Sequence, residues 1–282
     1  MREIVVPTFL SLFQPLARTL AQIAASDVQL VELHGDAPDT HVDLTDPAAV
    51  EALARVVRGL PLQIHSVHCA FSQPSEEAWD ISHPEEKTRV AALDRRATVV
   101  KASVRLGAQH VVMHPGGRPR SEARLAHCRE GLAHLAEVAR AAGVKIAVEN
   151  PPPDHLAGPL AEMEVLLDGL DPAVLGFCLD TGHATLGQDS LDDYLRVFGD
   201  RLIGIHWHEN DSGEDAHLFP EVDDGRWDGF LAALDAVGYD RPITLEAAPP
   251  LTSSLQEALR PLRAALQGQR VSRRPAYSPS RG

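Results

Sequence analysis

"QHVVMHPGGRPRSEARLAHCREGLAHLAEVARAAGVKIAVEN" (residues 109–150) contains one complete unit of the architecture. A short β-branched run meets a proline–glycine break, and a segment with apolar residues three and four apart follows. A glycine closes that segment, and a second β-branched run begins at once. The outer pieces read as strands and the middle as an amphipathic helix ending near Gly143. A strand, a crossover helix and a strand in this order make a parallel βαβ unit.

The same alternation runs outward in both directions. Strand-like runs are "EIVVPTF" (3–9), "VQLVELHG" (28–35), "LQIHSVHC" (62–69), "QHVVMHPG" (109–116), "VKIAVEN" (144–150), "VLGFCLD" (174–180), "LIGIHWH" (202–208) and "PITLEA" (242–247). Stretches of helical period separate them, such as "EEKTRVAALDRRATVVKASVRLGA" (85–108), and a last helix is expected over about 251–267. Eight such units predict an α/β fold, a single-domain (β/α)8 TIM barrel over residues 1–267, in preference to an open doubly wound sheet. No Gly-x-Gly-x-x-Gly follows the first strand, so a dinucleotide site has no support. Residues 268–282, "GQRVSRRPAYSPSRG", are polar, basic and proline-punctuated, and read as a loosely held tail.

Composition narrows the function. With 282 residues, 44% hydrophobic and 23% charged, the chain suits a soluble globular protein. No stretch reaches the roughly 20 apolar residues of a membrane helix. The first residues read as a strand entering a helix, not as a signal peptide. Three cysteines, Cys69, Cys128 and Cys178, have no metal-ribbon spacing, so the expected setting is a reducing cytoplasm without disulfides. The net charge of −14, with 40 acids against 26 Lys and Arg, weighs against a nucleic-acid partner, which needs a basic face.

In such a barrel the C-terminal strand ends converge on one mouth. Strand 3 ends on His68, strand 4 on His114, strand 5 on Glu149, strand 6 on Asp180 with His183 just beyond, strand 7 on His208 and strand 8 on Glu246. A single histidine at a strand end is most often a satisfied polar residue. Six metal-capable side chains on consecutive strands are not independent. Gathered together, they would repel and desolvate one another unless a divalent cation held them. On strand 7 alternation puts His206 and His208 on one interior face, with His208 nearer the mouth as the better ligand and His206 a layer deeper. Asp215 and His217, two apart on the following loop, can reach one ion. Glu32, read as the end of strand 2, is a further candidate on the floor. Cys69 and Cys178 read as packing residues turned away from the cluster.

The motifs "SVHCAF" (66–71), "VVMHPGG" (111–117), "IAVENP" (146–151), "CLDTGHA" (178–184), "HWHENDSGEDAHLFP" (206–220) and "GRWDGFLAALDAVGYDRPITLEA" (225–247) resemble the sugar phosphate isomerase/epimerase and endonuclease IV superfamily of xylose isomerase-like TIM barrels. The resemblance covers about residues 3–265. Its isomerase and epimerase branch implies a four-ligand divalent site of Glu149, Asp180, His208 and Glu246. Its endonuclease IV branch implies a three-zinc mouth that would add His68, His114, His183, Asp215 and His217. Two features favour the first branch. The segment after His68, "CAFSQPSEEAWDISHPEEK", is rich in acids, and Glu209–Asp228 holds eight acids and one arginine, Arg226. Such a rim repels a polyanion over a Debye length of about 8–10 Å.

The expected activity is therefore a metal-dependent isomerase or epimerase acting on a sugar or related polyhydroxy compound by proton transfer next to a carbonyl. Glu149 and Glu246 would move the proton, while His206, His183 and Glu32 would hold the substrate. Arg118 and Arg120 would receive a substrate phosphate. Mixed imidazole and carboxylate ligands suit Mn²⁺, Zn²⁺, Co²⁺ or Fe²⁺, with Mg²⁺ admissible, one ion or as many as three. The alternatives are a zinc phosphodiesterase acting on abasic DNA and a non-catalytic, metal-free barrel. The exposed ring of helices suits a homodimer or homotetramer.

Overall fold

The unit that opens the sequence reading folds as the pattern demands. In the computed structural model, which describes residues 2–11, 14–36, 41–72, 75–211, 213–222, 225–247 and 254–269, β4 (His110–Met113) lies parallel to β5 (Lys145–Glu149), Val111 opposite Ile146. Between them runs α4 (Glu122–Ala142). The Ser121 side chain accepts from Arg124 N at its start, and Gly143 ends it at φ +75°, a left-handed turn that glycine adopts without strain.

The other units repeat this. Chain order is β1 (Ile4–Pro7), α1 (Leu16–Ala24), β2 (Leu30–His34), α2 (Pro47–Arg58), β3 (Gln63–His68), α3 (Glu86–Leu106), then β4, α4 and β5. α5 (Leu160–Leu167), β6 (Leu175–Asp180), α6 (Thr181–Leu186), α7 (Leu191–Phe198) and β7 (Leu202–His206) follow. The chain continues with β8 (Glu209–Asp211), β9 (Glu214–Leu218), α8 (Asp228–Ala236), β10 (Ile243–Thr244) and α9 (Leu255–Leu266). Eight strands close a parallel barrel in the order β1-β10-β7-β6-β5-β4-β3-β2, and every residue of β1, β4, β6 and β7 is buried. Strands covered by helices outside and side chains inside read as continuous apolar runs. Among the described residues no helix is long and apolar enough to cross a membrane.

Four differences from the sequence expectation shape the mouth. β2 continues to His34, two residues past Glu32. β7 stops at His206 and β10 at Thr244, so His208 and Glu246 stand on the segments just beyond their strands. The loop expected after strand 7 is an antiparallel hairpin, β8 with β9, turning through Gly213 at φ +80°. It folds Asp215 and His217 back over the barrel. The tail lies outside the described residues from 270 onward, as does the first part of the last expected helix, 251–253.

Candidate metal centre

Four carboxylates stand at the C-terminal end of the barrel, all buried: Glu32, Glu149, Asp180 and Glu246. Around them the histidines adopt a common posture. His68 places Nδ1 3.0 Å from Cys69 O and Nε2 3.0 Å from Glu149 Oε2. His183 places Nδ1 2.9 Å from Asn150 O and Nε2 3.1 Å from Asp215 Oδ2. His217 places Nδ1 2.9 Å from Glu246 O and Nε2 3.3 Å from Asp215 Oδ2. A carbonyl fixes the proton on Nδ1, which leaves the Nε2 lone pair facing a carboxylate. That contact is favourable only if a second proton or a metal ion lies between, and a ligating histidine characteristically donates its far N–H to a carbonyl or carboxylate.

The ligand atoms fall into four sets, each within 4.8 Å of one another: Glu149, Asp180, His206 and Glu246; His68, His114 and Glu149; His183, His208, Asp215 and His217; and His34, His68 and Glu246. Glu149 joins the first two sets through different oxygens. Its Oε1 lies 2.8 Å from His206 Nδ1, while its Oε2 lies 3.2 Å from His114 Nε2. The expected quartet thus exchanges one member. His206, not His208, sits with Glu149, Asp180 and Glu246, because β7 ends at His206 and the chain leaves the barrel there. His208 lies behind Asp180, its Nε2 2.9 Å and 3.0 Å from the two carboxylate oxygens, and its ring stacks on His217 at 4.2 Å. Gly182 makes room for it, since a Cβ there would stand 1.9 Å from His208 Cε1.

Electrostatics follow from this packing. Burial pushes the His68 and His183 imidazoles down, but neighbouring carboxylates outweigh it and raise them to about 9 and about 10. Burial likewise opposes, and the acids overcome it, at His206, held well above its ordinary value, and at His217, raised to about 9. Reciprocally, Glu32, Glu149, Asp215 and Glu246 are held below the usual carboxylate range by these imidazoles despite burial. At His114 burial prevails and the value falls.

Glu32 forms the floor, accepting from Ser66 Oγ at 2.6 Å and lying 3.3 Å from His206 Nε2. Arg118 and Arg120 do not stand free: Arg118 pairs with Asp154 at 3.1 Å and Arg120 with Glu162 at 3.0 Å. Cys178 corrects the expectation that it points away. It shares parity with Asp180 and packs with Val112, Ala147 and Ile203 just beneath the mouth. Two contributors escaped the sequence reading. His34 stacks on His68 at 4.4 Å. Asn150 clamps the ends of β5 and β6, donating to Asp180 O at 3.0 Å and accepting from Asp180 N at 2.8 Å. Alternation from Glu32 would have found His34, whereas nothing in "AVEN" announces the clamp. A cavity of about 290 Å³ opens over this cluster, with His114, His183, Asp215, His217 and Glu246 on its wall.

The family described as xylose isomerase-like TIM barrel matches residues 20–265. An uncharacterised protein of Sinorhizobium fredii is 27% identical over 237 residues, 71% of this chain and 71% of its own length. An inosose dehydratase of Bacillus licheniformis is 35% identical over 83 residues, 28% of this chain and 26% of its own. Among solved structures, a D-tagatose 3-epimerase-like protein superposes with a TM-score of 0.77 at 21% identity, over 94% of this chain and 96% of that one.

Proposed function

The chain belongs to the xylose isomerase-like TIM barrels, and from that premise we propose that it is a divalent-metal-dependent isomerase or epimerase of a sugar or related polyhydroxy compound. The observation that carries this reading is the quartet Glu149, Asp180, His206 and Glu246, four buried ligands with Glu246 on the cavity wall. The donor set suits a divalent ion. A buried atom beside the quartet also lacks a partner: His34 Nε2 has no hydrogen bond among the described residues. His34 Nε2 lies 3.7 Å from Glu32 Oε1 and 3.6 Å from Glu246 Oε1, too far for hydrogen bonds but near the spacing of two ligands each about 2.1 Å from one ion.

A bound divalent ion would polarise the substrate carbonyl and offset negative charge developing on its oxygens. The chain supplies the rest. Glu149 and Glu246 approach the same atom, His206 Nδ1, at 2.8 Å and 2.6 Å, so they frame one point, with Glu246 the group that takes and returns the proton. Glu246 faces the cavity and takes the proton next to the carbonyl, and Glu149 stays anionic behind it. His183, on the same wall, orients a substrate hydroxyl. His206 is steadied from below by Glu32.

One observation favours a second reading, a zinc phosphodiesterase acting on abasic DNA: ligand sets continue beyond the quartet, through His68 and His114 on one side and His183, Asp215 and His217 on the other. The acidic rim opposes it. Incubating metal-loaded protein with a panel of ketoses and polyols in D2O separates the two. The expected result is deuterium entering the carbon next to the carbonyl, and none with Glu246→Gln. Cleavage of an abasic duplex without exchange into any sugar would overturn the isomerase reading.

A further inference from the structure

We propose that Arg96 receives an oxyanion carried by the substrate, a phosphate or carboxylate substituent, so that the cavity is built for an acidic sugar derivative. This rests on the reading of the mouth as a sugar site and names the substrate class. Arg96, on α3, is only 2% exposed yet forms part of the cavity wall. Its Nε donates to Trp79 O at 2.8 Å and its Nη1 to His114 O at 2.7 Å. Both acceptors are neutral carbonyls. Among the described residues no carboxylate lies within ion-pairing distance of it, and Nη2 has no acceptor.

The neighbouring buried guanidinium shows what a purely structural arginine looks like here. Arg124, 6% exposed, has Asp80 at 2.5 Å and Ser82 Oγ at 3.1 Å. Its charge is cancelled within the wall, and the same contact occupies Asp80; the other acids of that wall, Glu76, Asp215 and Glu246, form no ion pair with Arg96 among the described residues. Arg96 has nothing equivalent. A guanidinium stays protonated at any physiological pH, and an unpaired buried charge is costly. The two carbonyls pin the planar group through Nε and Nη1, which fixes the direction of Nη2. The remaining N–H groups offer the fork that binds oxyanions. The carbonyl anchor belongs to His114, whose ring reaches Glu149, so the anion site adjoins the ligand cluster. Arg118 and Arg120, the arginines singled out by sequence, are matched by Asp154 and Glu162, although Arg118 also lines this cavity.

The test is calorimetric titration of the metal-loaded, full-length protein with inorganic phosphate. Wild type is expected to bind saturably. Arg96→Gln should weaken binding at least tenfold and Arg96→Lys less, with metal content unchanged in both. Absence of saturable binding to wild type would overturn the proposal, and undiminished binding in Arg96→Gln would place the anion away from Arg96 and overturn it too. Should both variants fail to fold, a crystal of wild type soaked in tungstate decides: the oxyanion beside Arg96 Nη2 supports the assignment, and one anywhere else refutes it. Competition then identifies the source, since a sugar phosphate and a sugar acid of equal chain length should displace phosphate at different concentrations. Displacement only by a short abasic duplex would overturn the small-substrate assignment. Phosphate bound at Arg96 in protein that takes up no metal would sink the isomerase reading but leave this one standing.

Discussion

Two groups of buried histidines, near opposite ends of the barrel strands, are shifted in opposite directions, His114 at the mouth excepted. Toward the N-terminal ends of β3 and β4, His65 and His110 pack edge to face at 5.2 Å. Burial pushes both down, His110 to about 3. At the C-terminal end of β3, His68 is just as buried, yet its value rises to about 9. Burial is common to both groups, so it cannot be the cause of the difference. Of the upper histidines, His68, His183, His206 and His217 touch acids that outweigh burial; His114 touches Glu149 as well, but there burial prevails. The lower pair forms no ion pair among the described residues. Where the barrel needs only packing its imidazoles stay neutral, and at the mouth the packing calls for positive charge, supplied by protons or by metal.

The strongest way to break that contrast is to remove the acid shared by two ligand sets. Glu149→Gln should cut turnover by ~10²–10⁴-fold and lower bound metal, whereas His65→Gln should change neither; steady-state rates and elemental analysis read both. A finer cut compares the neighbours on strand 7. His208→Gln, behind Asp180, should weaken metal binding ~10–100-fold, and His206→Gln should weaken it more. If His208→Gln proved the worse of the two, the quartet would have to be redrawn around it.

Acidity sharpens the contrast further. In chelated protein the raised imidazoles stabilise the fold fully below their unfolded value of 6.5, and that contribution is lost as pH rises through about 9–10. The lowered carboxylates act the other way, their contribution present above the ordinary carboxylate range and lost only in strong acid. Metal requires the same imidazoles unprotonated. The gap in melting temperature between loaded and chelated protein should therefore widen from pH 6 to pH 9, and a gap that stays constant or narrows would argue against metal at these residues. The smallest effect belongs to the rim. Arg118→Ala breaks an ion pair whose partners are 58% and 59% exposed, so it should change stability by at most ~1 kcal/mol and leave turnover within about twofold, as an exposed pair outside the ligand cluster would.

Much of this was legible in the chain. Alternating β-branched runs and helical periods were enough to place the barrel, and asking how each strand ends brought Glu149, Asp180 and Glu246 to one mouth. What escaped depended on where strands stop and how loops turn. His206 and His208 share parity, so only the end of β7 could decide between them. The hairpin carrying Asp215 and His217 rests on a turn at Gly213 that no period announces. His217 itself sits at φ +44°, a left-handed conformation uncommon outside glycine. Arg118, singled out for lying beside "HPGG", does line the cavity, and there it pairs with an acid from the next segment, Asp154. Arg96 was hidden within a helical pattern, where a buried arginine looks like any exposed one.

The most direct test is a metal count on purified protein after incubation with excess Mn²⁺ or Zn²⁺ and removal of the unbound ion. At least one ion per chain, lost in Glu149→Gln and held by Glu149, Asp180, His206 and Glu246 in anomalous scattering maps, is the predicted result. Wild-type protein that folds, stays free of metal under these conditions and satisfies its acids by protonated imidazoles alone would contradict the account.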